Sequence, residues 1–146
     1  KGLRFGIVVS EWNGTITNNL YHGAYNTLIE CGANATDISR YDVPGSYELV
    51  FGAKIAAKDK PDAIICLGSV IQGETKHFDF ISAECTRAIQ QLTLELDIPI
   101  IFGVLTTENV NQAIERSTTN NKGYEVMEAA FKMIEIFKDI ELSLEK

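Results

Sequence analysis

Residues 62–79 read DAIICLGSVIQGETKHFD. The nearly all-apolar opening, set off by Lys60-Pro61, is the pattern of a strand covered on both faces. It breaks at Gly73, Glu74 and Thr75, and a helical period takes over. Ile81, Cys85, Ala88 and Leu92 share one face of a helix expected from about Phe78 to Leu96. A strand that runs into a helix is half of a βαβ unit and calls for a second parallel strand beyond it. PIIFGVLT (99–106) supplies that strand.

The same alternation extends toward both ends. LRFGIVVS (3–10) reads as a buried strand, and EWNGTIT (11–17) as a polar turn with cap residues. Ile16, Leu20, Ala24 and Leu28 then recur every fourth residue, with Gly32 as the helix stop. ATDISRYDV (35–43) alternates weakly as another strand and ends at Pro44-Gly45. SYELVFGAKIAAKD (46–59) returns to helical spacing with Ser46 as its expected N-cap. Beyond the last strand lie a short helix (108–116), a polar loop (118–123) and a long helix from about Tyr124. The expected architecture is a single α/β domain over 1–146. Its four-stranded, mainly parallel sheet is the middle layer of a three-layer α/β/α sandwich with right-handed crossovers.

Composition narrows the function. The 146 residues bury about 68–70% of the unfolded chain's surface when they fold as one domain, enough for a core. The net charge of −7 argues against a nucleic-acid or acidic-membrane surface, which needs a basic face. An anionic small molecule is still possible where local amides and a placed Arg overcome the global field. Cys31, Cys66 and Cys85 have no C-x-x-C spacing and read as buried, reduced thiols, which suits a cytoplasmic protein. No apolar run is long enough to span a membrane, and no signal-like segment opens the chain. On the last helix Met127, Ala130, Phe131, Ile134 and Phe137 form a stripe that Val126, Met133, Ile140 and Leu144 widen. A wide core face and a subunit contact both fit it.

Open parallel sheets bind ligands beyond the carboxyl ends of their strands. The candidate loops are therefore 11–15, 43–48, 70–77 and 106–108. In the third, Gly73 allows close backbone approach, and Glu74 and Thr75 stand ahead of a helix start. Free amides and the positive dipole end there suit a phosphate or carboxylate; Thr75 as a simple N-cap is the plainer alternative. His77 has the side chain whose ordinary pKa suits proton transfer at neutral pH, and Asp79 could orient it. His22, mid-helix, reads as structural. Trp12, the only tryptophan, is a candidate to stack on a planar ring or to cap the core. Tyr47 and Glu48 suit hydroxyl recognition, and Arg116 and Lys122 offer positive charge, Arg being suited to bidentate phosphate contact. No metal-ligand spacing and no G-x-S-x-G elbow is present.

Taken in order, IVVSEWN (7–13), VPGSYELV (43–50), LGSVIQGETKHFD (67–79), IPIIFGVLTTEN (98–109), QAIERS (112–117) and NKG (121–123) closely resemble the 6,7-dimethyl-8-ribityllumazine synthase family. The resemblance covers nearly the whole chain. It implies a flavodoxin-like fold and a cofactor-free condensation in riboflavin biosynthesis. The substrates are 5-amino-6-(D-ribitylamino)uracil and 3,4-dihydroxy-2-butanone 4-phosphate, and phosphate and water are released. Carried over by position, Trp12 stacks on the pyrimidinedione. Ser46, Tyr47, Glu48, Ser69, Val70 and Ile71 line the pyrimidine and ribityl site, with Phe102 and Lys122. Glu74 and Thr75 hold the phosphate together with Arg116, and His77 moves protons. Phe102 and Arg116 come from the neighbouring subunit. The implied assembly is a homopentamer, with a decamer or an icosahedral shell of sixty subunits as larger forms and riboflavin synthase as a candidate partner.

Three departures from the family pattern stand out. Gln72 replaces a common Arg, Trp12 and Tyr47 replace common Phe, and RSTTNNKG (116–123) is about two residues short and lacks the usual glycine. Other classes fit less well. A phosphoacceptor receiver needs an acidic pair after the first strand, where only Glu11 stands. A flavodoxin needs a hydroxyl-rich phosphate loop there, and SEWNGTIT matches poorly. The remaining alternatives are a flavin- or lumazine-binding or shell-forming relative without synthase activity, and a riboflavin synthase of the same fold.

Overall fold

The apolar run after Pro61 is β3 (Ala63–Ile71), and it lies at the centre of the sheet. The computed structural model describes residues 2–71, 77–118 and 121–145, and the side chains of these apart from 77–82 and 138–145. β1 (Phe5–Ser10), β2 (Ile38–Val43) and β4 (Ile100–Thr107) complete a four-stranded sheet of order β2-β1-β3-β4. All three pairings are parallel, with Val8 opposite Cys66 and Cys66 opposite Phe102. The connections are α1 (Gly14–Glu30), α2 (Leu49–Ala56) and α3 (His77–Leu96), and α4 (Val110–Ser117) and α5 (Lys122–Glu145) follow β4. The expected three-layer flavodoxin-like architecture is the observed one.

Strand alternation sorts the core into two halves. Ile7, Val9, Ile65 and Leu67 face α1 and α5, meeting Leu20, Leu28 and Met127. Val8, Ile64 and Cys66 face the other way, onto Leu49 and Ala53 of α2 and Ile89 of α3. Because β3 is covered on both faces, its sequence shows no polar alternation. Each fully buried Ile or Leu here contributes about 1.5–3 kcal/mol of transfer free energy. β2, at the sheet margin, has exposed Ser39, Arg40 and Asp42, which explains its weak pattern.

Four local expectations change. Ser46 does not cap α2: residues Ser46–Glu48 form a 3-10 turn, and α2 begins at Leu49 without a side-chain cap bond. Residues Ala35–Asp37 are likewise a 3-10 turn, so the second strand starts only at Ile38. Cys31 is exposed rather than buried, because it follows the last turn of α1. The last helix starts at Lys122, two residues early, because Asn121 ends the preceding loop with its own hydrogen bonds. On that helix Met127, Ala130 and Ile134 are buried, while Met133 and Phe137 are exposed. Ile140 and Leu144 lie outside the described side chains. Among the described residues, no helix is long and apolar enough to cross a membrane.

Candidate functional site

The carboxyl ends of β1, β2 and β3 come together as one clasped surface. Parallel pairing brings Ser10 beside Val43, so the two chains leave the sheet side by side. The pairing continues past the strands: the Glu11 amide donates to the Val43 carbonyl at 2.7 Å, and the Trp12 amide to Pro44 at 3.1 Å. Asn13 then takes a left-handed conformation at φ 62°, which Asn tolerates better than most residues. Its side-chain Nδ2 donates to the Ser69 carbonyl at 2.9 Å. Thr17 Oγ1 donates to the Ser10 carbonyl at 2.7 Å and anchors the first turn of α1.

This network holds Trp12 by its backbone while leaving the residue 73% exposed. It is not a lid on the core. Tyr47, across the neighbouring turn, is 62% exposed. Two large exposed aromatics on ordered loops at strand ends form a surface for a planar, partly apolar molecule.

The Ser46–Glu48 turn is seated from both sides. Gly68 makes room beneath it, since a Cβ there would stand 2.8 Å from Ser46 Oγ and 3.1 Å from Leu49 Cδ1. From above, the Cys85 thiol donates to the Ser46 carbonyl at 3.0 Å. Burial pushes the Cys85 thiol up to about 11, helped by the charge of Glu48, and burial pushes Cys66 up to about 12. Both thiols are therefore neutral packing groups at physiological pH, not nucleophiles.

Ser69 is 2% exposed, and its hydroxyl finds no hydrogen-bond partner among the described residues. A buried, unsatisfied hydroxyl costs about 1–3 kcal/mol and points to a ligand or water that completes it. Val70 is buried and Ile71 half-buried at the same strand end. Gln72, Glu74 and Thr75 lie outside the described residues, as does the side chain of His77, whose backbone opens α3. Asp79 is likewise described only in its backbone.

Phe102, Arg116 and Lys122 are not part of this surface. They line an open groove of about 350 Å³ along the outer edge of β4, between that strand and the start of α5. Its floor is Ile101, Gly103 and Val126, and Lys122 Nζ pairs with Glu125 at 2.6 Å. Within one chain, then, the candidates form two half-sites, one aromatic and hydroxyl-bearing, the other cationic. Among the described residues, no cluster of three His, Cys, Asp or Glu side chains could hold a metal.

Sequence reading missed the residues that hold these surfaces in place. Asn13, Gly68 and Asn121 act through single carbonyls or through space left empty. The Asn-Gly pair at 13–14 was a readable turn signal, but its clasp partner is 56 positions away.

An open parallel sheet with ordered aromatics at its strand ends and a cationic groove on its margin defines a flavodoxin-like α/β protein that binds small molecules. The comparisons with known proteins make that class specific. A profile of the 6,7-dimethyl-8-ribityllumazine synthase family matches residues 2–138, and the chain belongs to that family. The 6,7-dimethyl-8-ribityllumazine synthase of Flavobacterium johnsoniae is 50% identical over 146 residues, covering 98% of this chain and 77% of its own length. The same enzyme of Christiangramia forsetii is 48% identical over 95% of this chain and 85% of its own length. That of Syntrophus aciditrophicus is 43% identical over 96% and 93%.

Proposed function

We propose that this chain acts as one lumazine synthase domain. It condenses 5-amino-6-(D-ribitylamino)uracil with 3,4-dihydroxy-2-butanone 4-phosphate, releasing phosphate and water and forming 6,7-dimethyl-8-ribityllumazine for riboflavin biosynthesis. Family membership supports the reaction. The observation that carries the site is the exposed Trp12 clasped beside the Ser46–Glu48 turn and the unsatisfied Ser69 hydroxyl. In this reading Trp12 and Tyr47 flank the pyrimidinedione. Ser46, Glu48, Ser69, Val70 and Ile71 meet its polar edges and the ribityl chain.

The chemistry needs little electrophilic help. An amine meeting a ketone chiefly requires orientation, which removes several kcal/mol of barrier. Imine formation and phosphate loss each require proton movement, the role given to His77, and one such group contributes about 10²–10⁴-fold. Glu74 and Thr75, which precede α3 in the sequence, receive the phosphate, and Arg116 neutralises it.

Separation of the two half-sites supports a homo-oligomer in which Phe102, Arg116 and Lys122 of one subunit complete the strand-end surface of the next. The exposed Phe51 and Ile55 on α2, and Val110 and Ile114 on α4, are apolar area of the kind a subunit contact covers. A pentamer is the proposed unit, and reduced Cys66 and Cys85 support a cytoplasmic location.

The test mixes both substrates with purified protein and follows the lumazine chromophore, beside a His77→Ala variant. His77-dependent product at a rate well above the uncatalysed reaction is expected. No product above background would leave a ligand-binding or shell-forming relative.

A further inference from the structure

We infer that Asn121 is a positioning residue that fixes Arg116 and Lys122 at a set spacing in the groove beside β4, and so tunes substrate binding there, of the phosphate through Arg116 and of the aminouracil through Lys122. The inference rests on the proposed reading of those two cations as substrate-binding groups.

The carboxamide of Asn121 joins three elements. Its Nδ2 donates to the Ser117 carbonyl at 2.9 Å, at the end of α4 and next to Arg116. It also donates to the Asn19 carbonyl of α1 at 3.0 Å. Its Oδ1 accepts from the Gly123 amide at 2.7 Å, capping α5 directly after Lys122. Both amide protons and one acceptor site are thus committed, and no other side chain of similar size can do the same work.

The surrounding backbone is shaped for this amide. A Cβ on Gly23 would stand 2.4 Å from Asn121 Oδ1, and a Cβ on Gly123 would stand 2.2 Å from the Leu20 carbonyl oxygen. α1 and the start of α5 therefore touch through two glycines, with the Asn121 side chain between them. The residues on either side of this joint bear the charge. Arg116 immediately precedes the carbonyl that Asn121 grips, and Lys122 immediately follows Asn121. Both cations line the same groove. Their side chains are long and flexible, so what Asn121 fixes is the separation of the two backbone points from which they reach. A cap of α5 alone would need only the oxygen; one amide proton closes the end of α4 at Ser117 and the other ties the joint to α1.

That division separates the roles experimentally. Asn121→Asp keeps the cap oxygen and even favours the α5 dipole, but sets a carboxylate against two carbonyls. Asn121→Ser keeps a cap and loses the bridge, and serves if the Asp variant does not fold. Steady-state kinetics on the assembled protein, below each variant's melting temperature, should show KM for the butanone phosphate rising about tenfold. kcat should stay within about threefold, and KM for the aminouracil should rise as well, through Lys122.

Because Asn121 acts through the cations, adding Asn121→Asp to an Arg116→Ala, Lys122→Ala background should cost little more. Unchanged KM in a folded Asn121 variant overturns the inference, and so does full multiplication of the effects. If Arg116→Ala leaves KM for the butanone phosphate, and Lys122→Ala KM for the aminouracil, at their original values, the reading of the cations fails and the inference fails with it. A KM shift for those two variants alone leaves that reading standing and removes only the role of Asn121.

Discussion

Asn13 reaches across the sheet to Ser69: its Nδ2 lies 2.9 Å from the Ser69 carbonyl and ties the loop after β1 to the end of β3. Asn13 also holds φ 62°, a conformation that costs an ordinary L-residue about 1–2 kcal/mol. Asn13→Ala is expected to lower stability by about 1–3 kcal/mol, the strain plus the lost bond. KM for the aminouracil should rise about three- to tenfold as Trp12 loosens. Asn13→Gly removes the strain but not the loss of the clasp. It should recover part of the stability, read by urea denaturation, and none of the KM. Full recovery of KM by Gly would show that the clasp does not position Trp12.

Trp12 is the only indole in the chain and is largely exposed, so its fluorescence is a direct reporter of the strand-end surface. Adding the aminouracil alone should quench that emission or shift it to the blue. Stacking of a nucleobase-like ring is worth about 1–3 kcal/mol per ring by alanine substitution, so Trp12→Ala should weaken binding by about five- to 150-fold. Trp12→Phe should retain most of the affinity. A saturating aminouracil titration that leaves Trp12 emission untouched would place the ring elsewhere.

The layered core was legible in residue order because burial on two faces leaves a pattern that any reader can count. Ala63–Val70 spells out a central strand, and Leu20, Ala24 and Leu28 spell out the helix upon it. Boundaries were less legible. Ser46 looks like a cap from its neighbours alone, yet Gly68 and Cys85 hold its backbone in a tighter turn. The strand-end candidates followed from topology, since parallel sheets direct their loops to one edge. Their spatial division into two half-sites did not follow from topology, although the family resemblance implied it for Phe102 and Arg116. That Phe102, Arg116 and Lys122 lie along the β4 margin follows from strand order, which residue spacing does not encode.

Gly68 illustrates a position whose importance is the absence of a side chain. A methyl group there would lie 2.8 Å from Ser46 Oγ and 3.5 Å from Val104 Cγ2, so the soft neighbour is the turn above. Gly68→Ala should cost about 1–3 kcal/mol as an overpacking change and lift the Ser46–Glu48 turn. KM for the aminouracil should rise with it. Ser46→Ala removes the atom in conflict, and in the Gly68→Ala background it should restore most of the lost stability. If the double variant is as unstable as the sum of the two singles, Leu49 rather than Ser46 is the obstructing group.

The two buried thiols set a pH limit on the fold. Cys66 and Cys85 move from an ordinary value of 9.0 to about 12 and about 11, because burial disfavours the thiolate. In the unfolded chain both lose their protons near pH 9, whereas the folded chain retains them. The folded state thus binds more protons above pH 9, and unfolding free energy must fall as pH rises. The contribution is complete below pH 9 and is lost progressively from there through about 11 and 12. Tyr41, raised by its hydrogen bond to Asp59, and Tyr21, raised by burial, act in the same direction. Urea midpoints should therefore hold steady from pH 7 to 9 and decline above it. Cys66→Ala combined with Cys85→Ala should flatten that decline even though cavities lower the midpoint overall. Alkylation gives an independent reading. At pH 8 the folded protein should take up one equivalent of iodoacetamide, at exposed Cys31, and three in urea. Rapid labelling of Cys85 in the folded protein would mean that α3 opens away from the Ser46 turn.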